Sequence, residues 1–215
     1  VICMYVPLLY AGLNGVLAAL ITSIVILAAS IYILNGFSSK TICAIIGTST
    51  GIIISGGLAM IAGSMSHLNG FNMTDVESMI YIANNSKLHV SDILYAGILI
   101  SSLGAVMDVS VSIVAAITEI HEKAPHLKAK ELFMSGMHVG HDMMGTMSNT
   151  LILAYTGSAT GTLLTIYSYE MPYLQFMGYN SIIIEIVCGL CGTIGVILTV
   201  PIQAFITTMV LKVRK

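Results

Sequence analysis

Long apolar runs recur along the chain, separated by short polar breaks. Residues 1–12 read as the end of one membrane span and Gly15 to Leu34 as a second, with "NGFSSK" (35–40) as a turn. A third span is expected from Thr41 to Met65, followed by a polar stretch at 67–89 whose middle would lie along the membrane interface. A fourth covers Asp92 to Thr118 and runs into "EIHEKAPHLKAKE" (119–131), the most charged part of the sequence. The apolar stretch from Leu132 to Tyr169 is divided into an amphipathic entry (Leu132 to His141), one crossing, and a break near "TGSATG" (156–161), where Gly and small polar residues weaken a helix. Ser181 to Leu211 forms the last span before "KVRK". Runs of this length cross a hydrocarbon core of roughly 30 Å as helices. Strands would alternate apolar and polar residues, and this sequence shows no such alternation.

Composition narrows the class. Of 215 residues, 56% are hydrophobic and 8% charged, and the mean hydropathy is +0.94. Soluble domains carry about 25% charged residues, so the expectation is an all-α polytopic membrane protein. About five to six transmembrane helices with interfacial helices would form a single domain over 1–215. The start inside "VICMYVPLLY", without a charged leader, points to an N-terminal helix missing from this sequence. The lipid bilayer is the implied environment, and no nucleic-acid partner is expected.

The basic residues set sidedness. Lys40, Lys123, Lys128, Lys130, Lys212, Arg214 and Lys215 fall on one side if each span crosses once, and Lys87 alone on the other. Basic loops are retained in the cytoplasm, so a cytoplasmic C-terminus in a cell membrane is expected.

The chemistry concentrates on two helices. Gly97, Ser101, Gly104, Ala105, Asp108, Ser112, Ala115 and Glu119 recur at spacings of three and four, a small and polar stripe on an otherwise apolar helix. Asp108 sits about 16 Å along that helix from Glu119, near mid-membrane. His138, Asp142, Gly145, Asn149 and Thr156 repeat the rhythm on the next apolar stretch, with Thr146 beside them. A charge at the centre of a membrane helix costs from about 2.5 kcal/mol upward, and such residues mark ion, proton or substrate paths. If the two stripes meet, Asp108 and Asp142 would share a proton or cation. Asn149, Thr146 and Ser112 would add hard oxygen ligands, and Met107 a soft one. The plainer alternatives are an N-cap role for Asp142, a protonated Asp108 bonded to Ser112, and methionines that only fill space.

Other signals carry less. "GTSTG" (47–51) has the nucleophile-elbow pattern, but it lies inside a span with no base nearby. Gly47 and Gly51 instead match the G-x-x-x-G helix-packing pattern. Cys188 and Cys191 form a C-x-x-C that reads as small residues on a packed helix. His121, Glu122 and His126 read as a solvated turn, and Glu185 as a side chain that snorkels to water. No metalloprotease, Walker or dinucleotide motif occurs, so neither an enzyme, a cofactor nor an ATPase is expected.

The blocks "GAVMDVSVSI" and "GHDMMGTMSNTLILAY", within 93–158, resemble the core of the YibE/F-like family of bacterial membrane proteins. The likeness extends through "LNGFSSKT" and the last span. It implies a multi-span protein, common in Gram-positive bacteria and often encoded as a pair of related proteins, so a related partner or self-association is expected. Where the family pattern usually has Arg before the second acidic residue, this chain has His141. The combined expectation is a transporter or permease for a small cation or a cation- or proton-coupled solute. The alternative is a non-transporting membrane subunit or receptor whose polar stripe mediates assembly.

Overall fold

The computed structural model describes residues 2–65 and 90–213. The polar stretch expected along the interface lies outside the described residues, as do Lys87, Arg214 and Lys215. Helices α1 (Ile2–Tyr10), α2 (Gly15–Asn35), α3 (Ser39–Met65), α4 (Val90–Lys123), α5 (Ala129–Ser158), α6 (Thr160–Ser168), α7 (Tyr173–Met177) and α8 (Asn180–Val213) follow in order. Among the described residues there is no strand, as expected of a chain whose backbone polar groups must be satisfied without water.

Local chemistry fixes several boundaries. The Asn14 side chain accepts a hydrogen bond from the Val16 N–H at 3.1 Å and opens α2. Gly36, at φ 65°, closes it in a left-handed conformation that a Cβ would disfavour. The Gly36 N–H donates to the Tyr32 carbonyl at 2.9 Å. α4 outlasts the expected end at Thr118 because its charged tail remains helical, Lys123 donating to Glu119 one turn back at 2.6 Å. Pro125 then bars continuation, since the residue before a proline is driven out of the α region. Only residues 124–128 are left as the link to α5. The break expected at 156–161 falls at Ala159, between α5 and α6.

α8 is the hub, packing against α3, α4 and α5, while α2 lies against α3 and α4. Leu27, Ile31, Ile52, Val106, Ile113 and Val196 are fully buried between them. Leu17, Val25, Ile46, Ile53, Ile197 and Phe205 are exposed on the outside, the surface a bilayer would wet. Among the described residues, α2, α3, α4 and α8 are long and apolar enough to cross a membrane. α5 has 30 residues and packs along α4 and α8, but it falls outside that group because it is studded with polar side chains.

The described lysines, on the segments around Lys40, 123–130 and Lys212, gather at one end of the bundle. Lys40 pairs with Glu122 at 3.2 Å, and the Lys212 ammonium donates to the Leu127 carbonyl. Gly15, at the start of α2, abuts Asp92 at the start of α4, at the opposite end.

Candidate functional site

Polar side chains occupy three distinct settings in this bundle. The first is internal. Gln203 of α8 is fully buried; its Nε2 donates to the Cys43 carbonyl of α3 at 3.0 Å and to the Thr207 hydroxyl at 3.2 Å. The Ser110 hydroxyl of α4 donates to Gln203 Oε1 at 2.7 Å. One amide thus joins three helices. Higher in the bundle the Ser55 hydroxyl of α3 lies 3.2 Å from the Cys191 carbonyl of α8 and 3.4 Å from the Ser102 hydroxyl of α4. Glycines open both crossings: a Cβ at Gly47 would overlap the Gln203 amide, one at Gly51 would overlap Thr199, and one at Gly195 would stand 2.7 Å from Ser55 Cβ. The "GTSTG" run is therefore a packing surface, as its G-x-x-x-G spacing indicated. Thr48 and Thr199 return their hydroxyl protons to carbonyls one turn back in their own helices.

The second setting is the pair of stripes. On α4, Gly97, Ser101, Gly104, Asp108, Ala115 and Glu119 are all exposed, and Ser112 is half-buried. A Cβ added at Gly97 or Gly104 would meet no atom within 4 Å, so nothing else among the described residues packs against this stripe there. On α5, Leu132, Gly136, Gly140 and Leu151 turn inward. A Cβ at Gly136 would strike Ile117 of α4, and one at Gly140 would strike Val200 of α8. Asp142, Gly145 and Asn149 then fall on the opposite side of the helix, given about 100° of rotation per residue, and are exposed together with Thr146.

Two contacts fix the antiparallel register of α4 and α5: Tyr155 donates to the Ser101 hydroxyl at 2.8 Å, and Gly136 faces Ile117. Asp108 then lies level with Met147, and Asp142 level with Ser112, about one turn apart along the bundle. The carboxylates lie at neighbouring levels but on separate faces. Among the described residues neither forms a hydrogen bond or an ion pair, and the α5 stripe faces away from α4. Asp142 is no N-cap, because α5 begins at Ala129. Thr146 reaches only the Asp142 carbonyl, at 3.5 Å. Met107, Met143, Met144 and Met147 pack against the apolar core, the gap-filling role of a flexible thioether.

The third setting escaped the sequence reading. Near the end of the bundle away from the lysines, Tyr155 bridges to Ser101, and the Ser158 hydroxyl donates to Glu185 Oε1 of α8 at 3.1 Å. Glu185 is half-buried and lines two open clefts. Gly189 packs beside the Tyr155 ring, where an added Cβ would make ordinary contact at 3.5 Å. Composition could not reveal these pairs, because each joins residues far apart in sequence through helix register. Cys188 and Cys191 are buried free thiols, and no group of three or more His, Cys, Asp or Glu placed to hold a metal occurs among the described residues.

Against known proteins, the family described as YibE/F-like protein matches residues 1–213. No curated protein and no solved structure matches the chain.

Proposed function

The chain belongs to the YibE/F-like family, and we propose that it is a multi-pass permease of the bacterial cell membrane. It has no ATPase of its own and moves a small cation, or a solute coupled to a cation or proton. The basic end of the bundle, with the C-terminus, faces the cytoplasm in this reading. The supporting observation is Asp108: a carboxylate near the middle of a 34-residue apolar helix, exposed on its outer side one turn beyond Gly104, which has open space above it. A carboxylate left against lipid there costs from about 2.5 kcal/mol upward, and Asp142 adds a second. Both costs fall if another chain, a second copy or a related protein, lies over the stripes and encloses a polar seam. Glycines permit the close approach. The second chain would enclose two separate oxygen-bearing faces, Asp108 and Ser112 on α4, with Met107 at the margin, and Asp142, Thr146 and Asn149 on α5, each suited to a proton or a hard cation completed by the partner's ligands.

The outward position of both stripes also favours a second reading, in which the seam serves assembly alone and nothing passes. Uptake of H⁺, Na⁺, Mg²⁺ and Mn²⁺ into proteoliposomes separates the two. Permeation predicts that Asp108→Asn lowers flux at least tenfold while the assembly, read by native mass spectrometry, persists. Under the assembly reading the same change weakens association, and wild-type liposomes take up none of the four.

A further inference from the structure

The cleft around Glu185 has a composition of its own. Two cavities, of about 290 and 380 Å³, flank Tyr155 and Glu185, which line both. Their walls are otherwise largely aliphatic, with Ile152, Leu163 and Ile186 on one side and Leu94, Ile98 and Leu151 on the other. Glu185 lies within α8, in a candidate membrane span. It accepts one hydrogen bond, from Ser158, and takes part in no ion pair among the described residues, where the pairs are Lys40 with Glu122 and Lys123 with Glu119. The Tyr155 hydroxyl is committed to Ser101, which holds the ring in place at the junction of the two cavities.

This donor set excludes some ligands and selects another. A hard cation such as Ca²⁺ or Mg²⁺ takes six or more oxygens, a softer metal three or four His, Cys or carboxylate ligands, and the cleft offers one carboxylate, few hydroxyls and no such group among the described residues. An anion would meet the carboxylate's repulsion. A neutral apolar molecule would leave the carboxylate desolvated and uncompensated. An organic cation with apolar substituents meets every demand: its charge offsets Glu185, its substituents contact the aliphatic walls, and it lies against an aromatic face that attracts ammonium and phosphonium groups. We propose that the cleft between α4, α5 and α8 is a binding site for a lipophilic organic cation, with Glu185 as counter-ion and Tyr155 as aromatic wall. This goes beyond the permease reading: the site lies toward the end of the bundle away from the described lysines, shares only Gly97 and Ser101 with the α4 stripe, contains neither Asp108 nor Asp142, and takes a different class of ligand.

The test uses the full chain in lipid nanodiscs with tritiated tetraphenylphosphonium as probe, and neutral triphenylphosphine oxide and benzyltriethylammonium as competitors. Saturable binding is expected, displaced by the ammonium and not by the neutral compound. Glu185→Gln keeps the shape and the Ser158 contact while removing the charge, and should weaken binding at least tenfold. Gly189→Leu keeps the carboxylate but fills the cleft, where a Cβ makes only ordinary contact with Tyr155, and should also abolish binding; it decides the matter if Glu185→Gln fails to fold. Absence of saturable binding, equal competition by the neutral compound, or undiminished affinity in a folded variant would each overturn the assignment.

Discussion

The surroundings of Gln203 and those of Asp108 handle the same difficulty in opposite ways. Each places a polar group inside a long apolar helix. Around Gln203 every polar atom of the amide is answered from within the chain, by Ser110, Cys43 and Thr207, and Gly47 clears the space for it. One turn from Asp108, Gly104 also clears space, but nothing among the described residues occupies it. Glycines beside a satisfied amide lock helices of one chain together, whereas glycines beside an unanswered carboxylate leave an opening for something else. Polarity in a membrane helix therefore reads as structure or as an interaction surface according to whether the chain completes its own hydrogen bonds.

That contrast can be broken deliberately. Gly47→Leu should have the largest effect, because its side chain would occupy the Gln203 amide's position and force α3 from α8. A loss of about 3 kcal/mol or more should appear as failure to recover folded protein in detergent, or as a sharply lowered Tm. Gly136→Leu should come next, prying α5 from Ile117 and Ala204; cysteine accessibility along the inner face of α5 would report it. Gln203→Leu removes three interhelical or intrahelical bonds but fills similar volume, so a loss of about 1–2 kcal/mol is expected in steric-trap or denaturant unfolding. Gly104→Leu should change the stability of the isolated chain by no more than about 0.5 kcal/mol, since its side chain enters open space, while disrupting association with a second chain. A large stability loss at Gly104, or none at Gly47, would erase the distinction.

Much of the fold was legible in the sequence because apolar length and turn chemistry are one-dimensional. The four spans of α2, α3, α4 and α8, the Gly36 turn, the break at Ala159 and the packing role of Gly47 and Gly51 all follow from local pattern, whereas the crossing expected within 132–169 falls on α5, which is too polar to stand with those four. The α4 stripe was legible as a face, since Gly97 to Glu119 keep helical spacing and are exposed together apart from the half-buried Ala105 and Ser112. Which way the α5 stripe would point was not resolved, because Gly136 and Gly140 form a second small-residue pattern only four residues apart, and close approach to Ile117 and Val200 gave them the inner face. Asp142 was turned outward as a consequence. Gln203, Tyr155 and Glu185 gave no local signal; their meaning comes from partners on other helices, set by register and crossing, and Glu185 alone resembled a side chain reaching for water.

The most direct test of whether a second chain covers the Asp108 face is cross-linking in native membranes. A single cysteine at Gly104, in a background with Cys3, Cys43, Cys188 and Cys191 replaced, should form an oxidation-dependent cross-linked species with a second copy or a co-expressed relative. A control cysteine at Ile53, on the exposed apolar side of α3, should not. If Gly104→Cys stays monomeric and reacts with lipid-soluble maleimide as readily as Ile53→Cys, the face is turned to lipid and the account of a polar seam between chains is wrong.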